Sequence, residues 1–170
     1  MLQSIFSQFS CFGFSGSRQW SGSFAPLTAA ADSVPVGGRV LVGCAPGVDA
    51  FFRSRFPSAE VFSVRSGRWG RGRGAFAARS IACVSGVVGG VGGGLWVSFP
   101  SSACPAGLFP SGSGTWASLA FAIGSGLPCL VFLGSIKSPS GWGLSPVPGS
   151  PGWFGCSSVL GFAPVQLSLF

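Results

Sequence analysis

The 170-residue sequence contains no histidine, no tyrosine and no asparagine, and its only acids are Asp32, Asp49 and Glu60. Without histidine there is neither a His-based catalytic triad nor a His-ligated metal site. Three carboxylates also leave little material for paired acid/base chemistry of the glycosidase kind. The six cysteines, at 11, 44, 83, 104, 129 and 156, stand at least 21 residues apart, which excludes the C-x-x-C pairs of zinc ribbons and thioredoxin-like redox sites. Several fall in apolar runs such as IACVSGV and LPCLVFL, where a free Cys packs as a small hydrophobe. Reduced thiols, a cytoplasmic location, and neither metal nor cofactor are the expectation. The N-terminal MLQSIFSQFSCFGF has no basic n-region and too short an apolar run for a secretory signal.

What is present argues for a folded chain. Gly (29) and Pro (13) together fill a quarter of the positions, yet 47% hydrophobic content and 17 Phe are incompatible with a disordered polymer. The net charge of +7 is unevenly placed: all nine Arg lie between Arg18 and Arg79, and residues 80–170 carry only Lys137. Such a basic half suits an anionic partner, although solubility charge is the plainer alternative. Ser80 to Ile136 is an uncharged stretch of 57 residues, and the mean hydropathy is +0.58. A small membrane protein is therefore one alternative. Its two candidate spans, Ile81 to Phe99 and Trp116 to Ile136, are interrupted by GVVGGVGGG and by Gly124, Gly126 and Pro128, and membrane insertion is not the favoured reading.

Strand and helix patterns alternate. Strands are predicted at Phe9 to Phe14, Arg39 to Val42, Glu60 to Val64, Leu95 to Phe99 and Cys129 to Leu133. Helices are predicted at Pro26 to Val34, at VDAFFRSRF, at AFAARSIACVSGV and from about Thr115. This order predicts the α/β class, with a doubly wound, mainly parallel sheet of about five strands. Residues 1–136 form the predicted domain. Residues 137–170, rich in Ser, Pro, Gly and Trp without helix or strand period, read as a loosely packed C-terminal extension, to which VQLSLF could add an edge strand.

In a doubly wound sheet, ligands bind beyond the carboxyl ends of the strands. Three loops there are alike in chemistry. FSGSR offers Ser15, Gly16, Ser17 and Arg18. VGCAPGVD offers Gly43, Ala45, Gly47 and Asp49, the last more simply a loop-bracing residue. PSGSGT offers Gly112, Ser113, Gly114 and Thr115 ahead of a helix whose N-terminus favours an anion. Each loop alone is more often just a turn. In this order, and with Arg79 of FAARS between the second and third, they resemble the SLOG superfamily, which joins the DNA-processing protein DprA (Smf) to the Lonely Guy (LOG) nucleotide hydrolases. The resemblance runs from about Phe9 to Leu133. It implies a Rossmann-like sheet, a pocket for a nucleotide, a nucleotide-derived ligand or single-stranded DNA, and a homodimer.

The departures from that pattern narrow the function. LOG enzymes carry P-G-G-x-G-T-x-x-E in the third loop, whereas PSGSGTWAS places Ser118 where the catalytic Glu belongs. A serine can neither stabilise an oxocarbenium-like charge as a carboxylate does nor act as the base. Arg79 matches the upstream Arg, and a LOG-type phosphoribohydrolase stands as the enzymatic alternative to a non-catalytic binder. DprA resembles the second loop and FAARSIACVS more closely, but its second Arg is missing here. Arg65, Arg68, Arg71 and Arg73, with Trp69 among them, form a basic Gly-rich loop. It either contacts a single strand, through phosphate pairing and base stacking, or is a solvated hairpin.

Overall fold

A computed structural model of the chain describes residues 1–107, 113–156 and 159. The fold is α/β. Its sheet contains β1 (Cys11–Gly16), β2 (Arg39–Gly43), β3 (Glu60–Phe62), β4 (Gly94–Phe99), β5 (Cys129–Phe132), β6 (Leu144–Pro146) and β7 (Trp153–Cys156), in the spatial order β3-β2-β1-β4-β5-β7-β6. The first five strands pair in parallel, and β7 and β6 add an antiparallel edge beside β5. Among the described residues five α-helices accompany them: α1 (Leu2–Phe6), α2 (Ala25–Ser33), α3 (Val48–Arg55), α4 (Arg73–Val88) and α5 (Gly114–Gly124).

The two faces of β1 show how the layers form. Successive strand side chains point to opposite sides, and Phe12 and Phe14 stack on Phe6 of α1 and Phe52 of α3, with ring centroids 5.4 and 3.9 Å apart. Cys11 and Gly13 face the other way, toward α4. A Cβ on Gly13 would collide with the Trp96 ring and with Val87, so the missing side chain is what lets the indole lie across the sheet. Strand β4 is buried at all six positions, as a central strand covered on both faces must be.

The sequence-predicted elements recur with shifted ends, and α1, β6 and β7 are additional to them. A short helix, α1, precedes the first strand, which starts at Cys11 rather than Phe9. Strand β3 stops at Phe62 because the Ser63 side chain accepts the Arg65 N–H and caps a 3-10 turn, Val64–Ser66. The larger correction is the strand count, seven among the described residues rather than about five. Within 137–170, β6 and β7 form although their sequence shows no strand period, because Trp153 is buried against Phe99 and Phe132 and anchors the hairpin to the core. The terminal VQLSLF lies outside the described residues. Among the described residues no helix is long and apolar enough to cross a membrane. The first proposed span is divided between α4 and β4, and the second ends its helix at Gly124.

Candidate functional site

Parallel strands bring their carboxyl ends to one rim, and there a cavity of about 990 Å³ opens between α4 and α5. Its floor is β1 and β4, through Phe14, Ser15, Gly16 and Trp96. The walls are apolar or small: Phe76, Ala77, Ser80, Ile81 and Cys83 from α4, and Ala117, Ser118, Ala120 and Phe121 from α5. Ser17, Arg18, Gly43, Ala45, Asp49, Gly74, Arg79, Ser101, Ser113, Gly114 and Thr115 complete the described lining.

The first two loops are fitted to each other. Gly47 has φ +71°, and a Cβ there would also strike the Ser17 and Arg18 carbonyls. Glycine is therefore needed twice over, for the torsion and for the approach. The Val48 N–H donates to the Ser17 carbonyl at 3.1 Å, which ties the start of α3 to the loop after β1. Ser15 and Ser17 are held by hydroxyl partners after or on β4, Ser98 at 3.0 Å and Ser101 at 2.8 Å. Gly16 leaves room for the Val48 side chain. Gly47 itself supports the rim without lining the cavity, and Gly112 lies outside the described residues.

At the end of β2 the absence of a side chain on Gly43 makes space for a buried ion pair. Arg79 Nη1 lies 3.5 Å from Asp49 Oδ2, and both side chains are about nine-tenths buried. Asp49 Oδ2 also accepts the Ala45 N–H at 3.1 Å, so the carboxylate braces the second loop. Burial pushes the Asp49 carboxyl above its ordinary range, against the opposing pull of Arg79, the Ala45 N–H and Arg53. Arg53, which the sequence motifs do not single out, donates Nη1 to the carbonyls of Gly43 and Ala45 at 2.8 and 2.9 Å. The available signal was its place one helical turn after Asp49 on α3, the same face of the helix.

Two buried donors on the cavity lining have no acceptor among the described residues, Arg79 Nε and Trp96 Nε1. Buried polar groups are normally paired. At the opposite wall, α5 begins without a side-chain cap: Ser113 is its N-cap and makes no capping hydrogen bond. Thr115 is buried in the first turn, and the Ser118 hydroxyl donates back to the Gly114 carbonyl at 2.8 Å. Cys83 is buried at the cavity edge, and desolvation pushes its thiol up to about 12.

The basic loop splits. Arg65 lines a second, smaller cavity beside the first. Trp69 packs on Phe62 with ring centroids 6.1 Å apart, and the Arg68 guanidinium lies 5.2 Å from the indole centre. Trp69 Nε1 is buried without an acceptor among the described residues, so this indole is half-buried rather than presented as an open stacking platform. Arg71 is exposed and Arg73 is the first residue of α4.

No protein-family model, curated protein or solved structure matches this chain. What the site can do must follow from its own geometry: backbone amides at a helix start, hydroxyls, two unpaired buried donors and arginine, set around an apolar chamber. Among the described residues no group of His, Cys, Asp or Glu could hold a metal ion.

Proposed function

We propose that the chain is a Rossmann-like, SLOG-type protein that binds a nucleotide or nucleotide-derived ligand without transforming it. The observation that carries the reading is the position of the large cavity. For β1 to β5 the order 3-2-1-4-5 reverses direction between β1 and β4, and in doubly wound sheets the crevice at that switch point is where nucleotides bind. The cavity floor is formed by these two strands. The volume of about 990 Å³ is at the upper end of the roughly 300–1,000 Å³ usual for small-molecule sites. In this arrangement the α5 N-terminus and Arg79 hold a phosphate, while Phe76 and Phe121 flank the base. Short single-stranded DNA is the extended form of the same ligand chemistry.

The absence of catalysis is supported by the fate of the polar groups. Asp49 is the one carboxylate among the described lining residues, and it is engaged by Arg79 and by the Ala45 N–H. Ser118, which stands at the position of the LOG glutamate, spends its hydroxyl on its own helix. Calorimetric titration of purine mononucleotides and short single strands in low salt tests the binding. Affinity better than millimolar is expected, with Arg18→Ala weakening it about tenfold, the usual scale of one charge-assisted contact. Binding no tighter than millimolar, or indifference to both Arg18→Ala and Arg79→Ala in folded variants, overturns the assignment. Incubation with purine monophosphates should release no free base, and release would make the protein a hydrolase.

A further inference from the structure

The smaller cavity, about 420 Å³, adjoins the large one and shares Arg18, Ala45 and Phe76 with it. Beyond that common boundary it is lined by Arg53 and Arg65, with Cys44 and Ser63. Three guanidinium groups thus surround one pocket, and its described lining contains no carboxylate.

The chain cannot supply that charge from its own acidic side chains. It has three acids, and each is already paired with a different arginine: Asp32 with Arg55, Glu60 with Arg39 and Asp49 with Arg79. The arginines of the small pocket are not among those partners. Arg53 is fixed by its two carbonyl acceptors, which occupy Nη1 and leave its other donors without a hydrogen bond among the described residues. Arg18 rests on the Phe76 ring at 4.8 Å, a contact that orients the guanidinium and uses none of its N–H groups. Arg65 makes no side-chain hydrogen bond or ion pair among the described residues; its backbone N–H alone is engaged, by Ser63.

Resting on the nucleotide-binding reading, we infer that the ligand carries two phosphate groups, the first at the Arg79 and α5 end of the large cavity and the second in the Arg18–Arg53–Arg65 pocket. Arg18 and Phe76 line both cavities, and in this proposal one ligand extends through both, with Arg18 beside each phosphate. The second phosphate belongs either to a polyphosphate tail or to the next nucleotide of a strand, and the two place it at different distances from the first.

The test compares four probes by calorimetry at fixed salt: adenosine 5′-monophosphate, adenosine 5′-diphosphate, adenosine 3′,5′-bisphosphate and a 5′-phosphorylated deoxyadenosine dinucleotide. At least one doubly phosphorylated probe should bind about tenfold tighter than the monophosphate, the scale of one added charge-assisted contact. Which one does so identifies the source of the second phosphate. Arg65→Ala, an exposed substitution on the 3-10 turn, should abolish that advantage and leave monophosphate affinity within about twofold, as expected for a separable contact. Equal binding of all four probes, or an equal loss for mono- and diphosphorylated probes in Arg65→Ala, overturns the two-phosphate inference while the nucleotide reading stands. Failure of every probe to bind overturns both.

Discussion

Replacing Gly43 with alanine adds a single methyl group at the carboxyl end of β2, and the structure says where its cost arises. The torsion at Gly43 is not in the left-handed region, so the main chain accepts alanine. The new Cβ would instead overlap the Arg79 guanidinium and the Asp49 carboxylate. Neither group is free to swing into water, since their side chains are only 10% and 6% exposed. The methyl must therefore part the ion pair or displace β2 from α4. Overpacking alone costs about 1–3 kcal/mol, and disrupting a buried pair costs about 3–5 kcal/mol. At 3.5 Å the pair is longer than an ideal charge-assisted hydrogen bond, which argues for the low end of that range, about 3 kcal/mol. For a chain of this size such a loss lowers Tm by about 6–12 °C. Urea unfolding followed by circular dichroism measures it directly, with an unchanged slope expected. The decisive comparison uses a background of Asp49→Asn with Arg79→Met, where both charges are gone and Gly43→Ala should cost less than half as much. An alanine variant within about 0.5 kcal/mol of the parent, or the same loss in both backgrounds, would refute the argument.

Two further expectations use the same unfolding assay. Trp153→Ala should destabilise by about 3–5 kcal/mol, because it empties a buried site between Phe99 and Phe132; a loss below about 1 kcal/mol would mean that the β6–β7 hairpin unfolds independently of the core. The pH dependence follows from two raised acids. The Asp49 carboxyl lies above its ordinary 3.8 in the folded chain, so the native state holds that proton more tightly than the unfolded state. Acidification from neutral pH through the folded value should favour the parent over Asp49→Asn, and the gain should level off below about 3.8. For Cys83, raised from 9.0 to about 12, the unfolded thiol ionises first as pH rises, so stability should fall across that window and fall less in Cys83→Ala.

The parallel part of the fold was legible because its strands are short apolar runs closed by glycine, such as RVLV before GCAPG, and its helices begin just after such turns. Gly43, Gly47 and Asp49 could be singled out for the same reason: a strand-to-helix turn constrains a few residues locally. Other features depend on contacts between distant segments. LSP and WFGC have no strand signature; WFGC pairs with β5, and LSP with WFGC, because Trp153 finds Phe99 and Phe132. The loop bracing by Arg53 requires the end of β2 to lie beside α3. The apolar walls of the cavity, Phe76 and Phe121 among them, read as ordinary amphipathic helix positions until α4 and α5 face each other. Trp69 was the reverse case: its basic neighbours suggested an exposed ring, and Phe62, two residues before the 3-10 turn, takes it up instead.

The antiparallel hairpin beside β5 also bears on how copies of this chain meet at high concentration. A parallel sheet ending at β5 would present CLVF as an open row of amides and carbonyls, the template that strand-by-strand aggregation needs. Here β7 occupies that row, and the outermost strand among the described residues, β6, is only three residues long and ends in Pro146, which has no N–H to offer a newcomer. At the other margin, β3 is equally short and its Glu60 side chain is tied to Arg39. A sequence so poor in charge beyond residue 80 thereby guards its most adhesive strand with backbone geometry rather than with electrostatic repulsion.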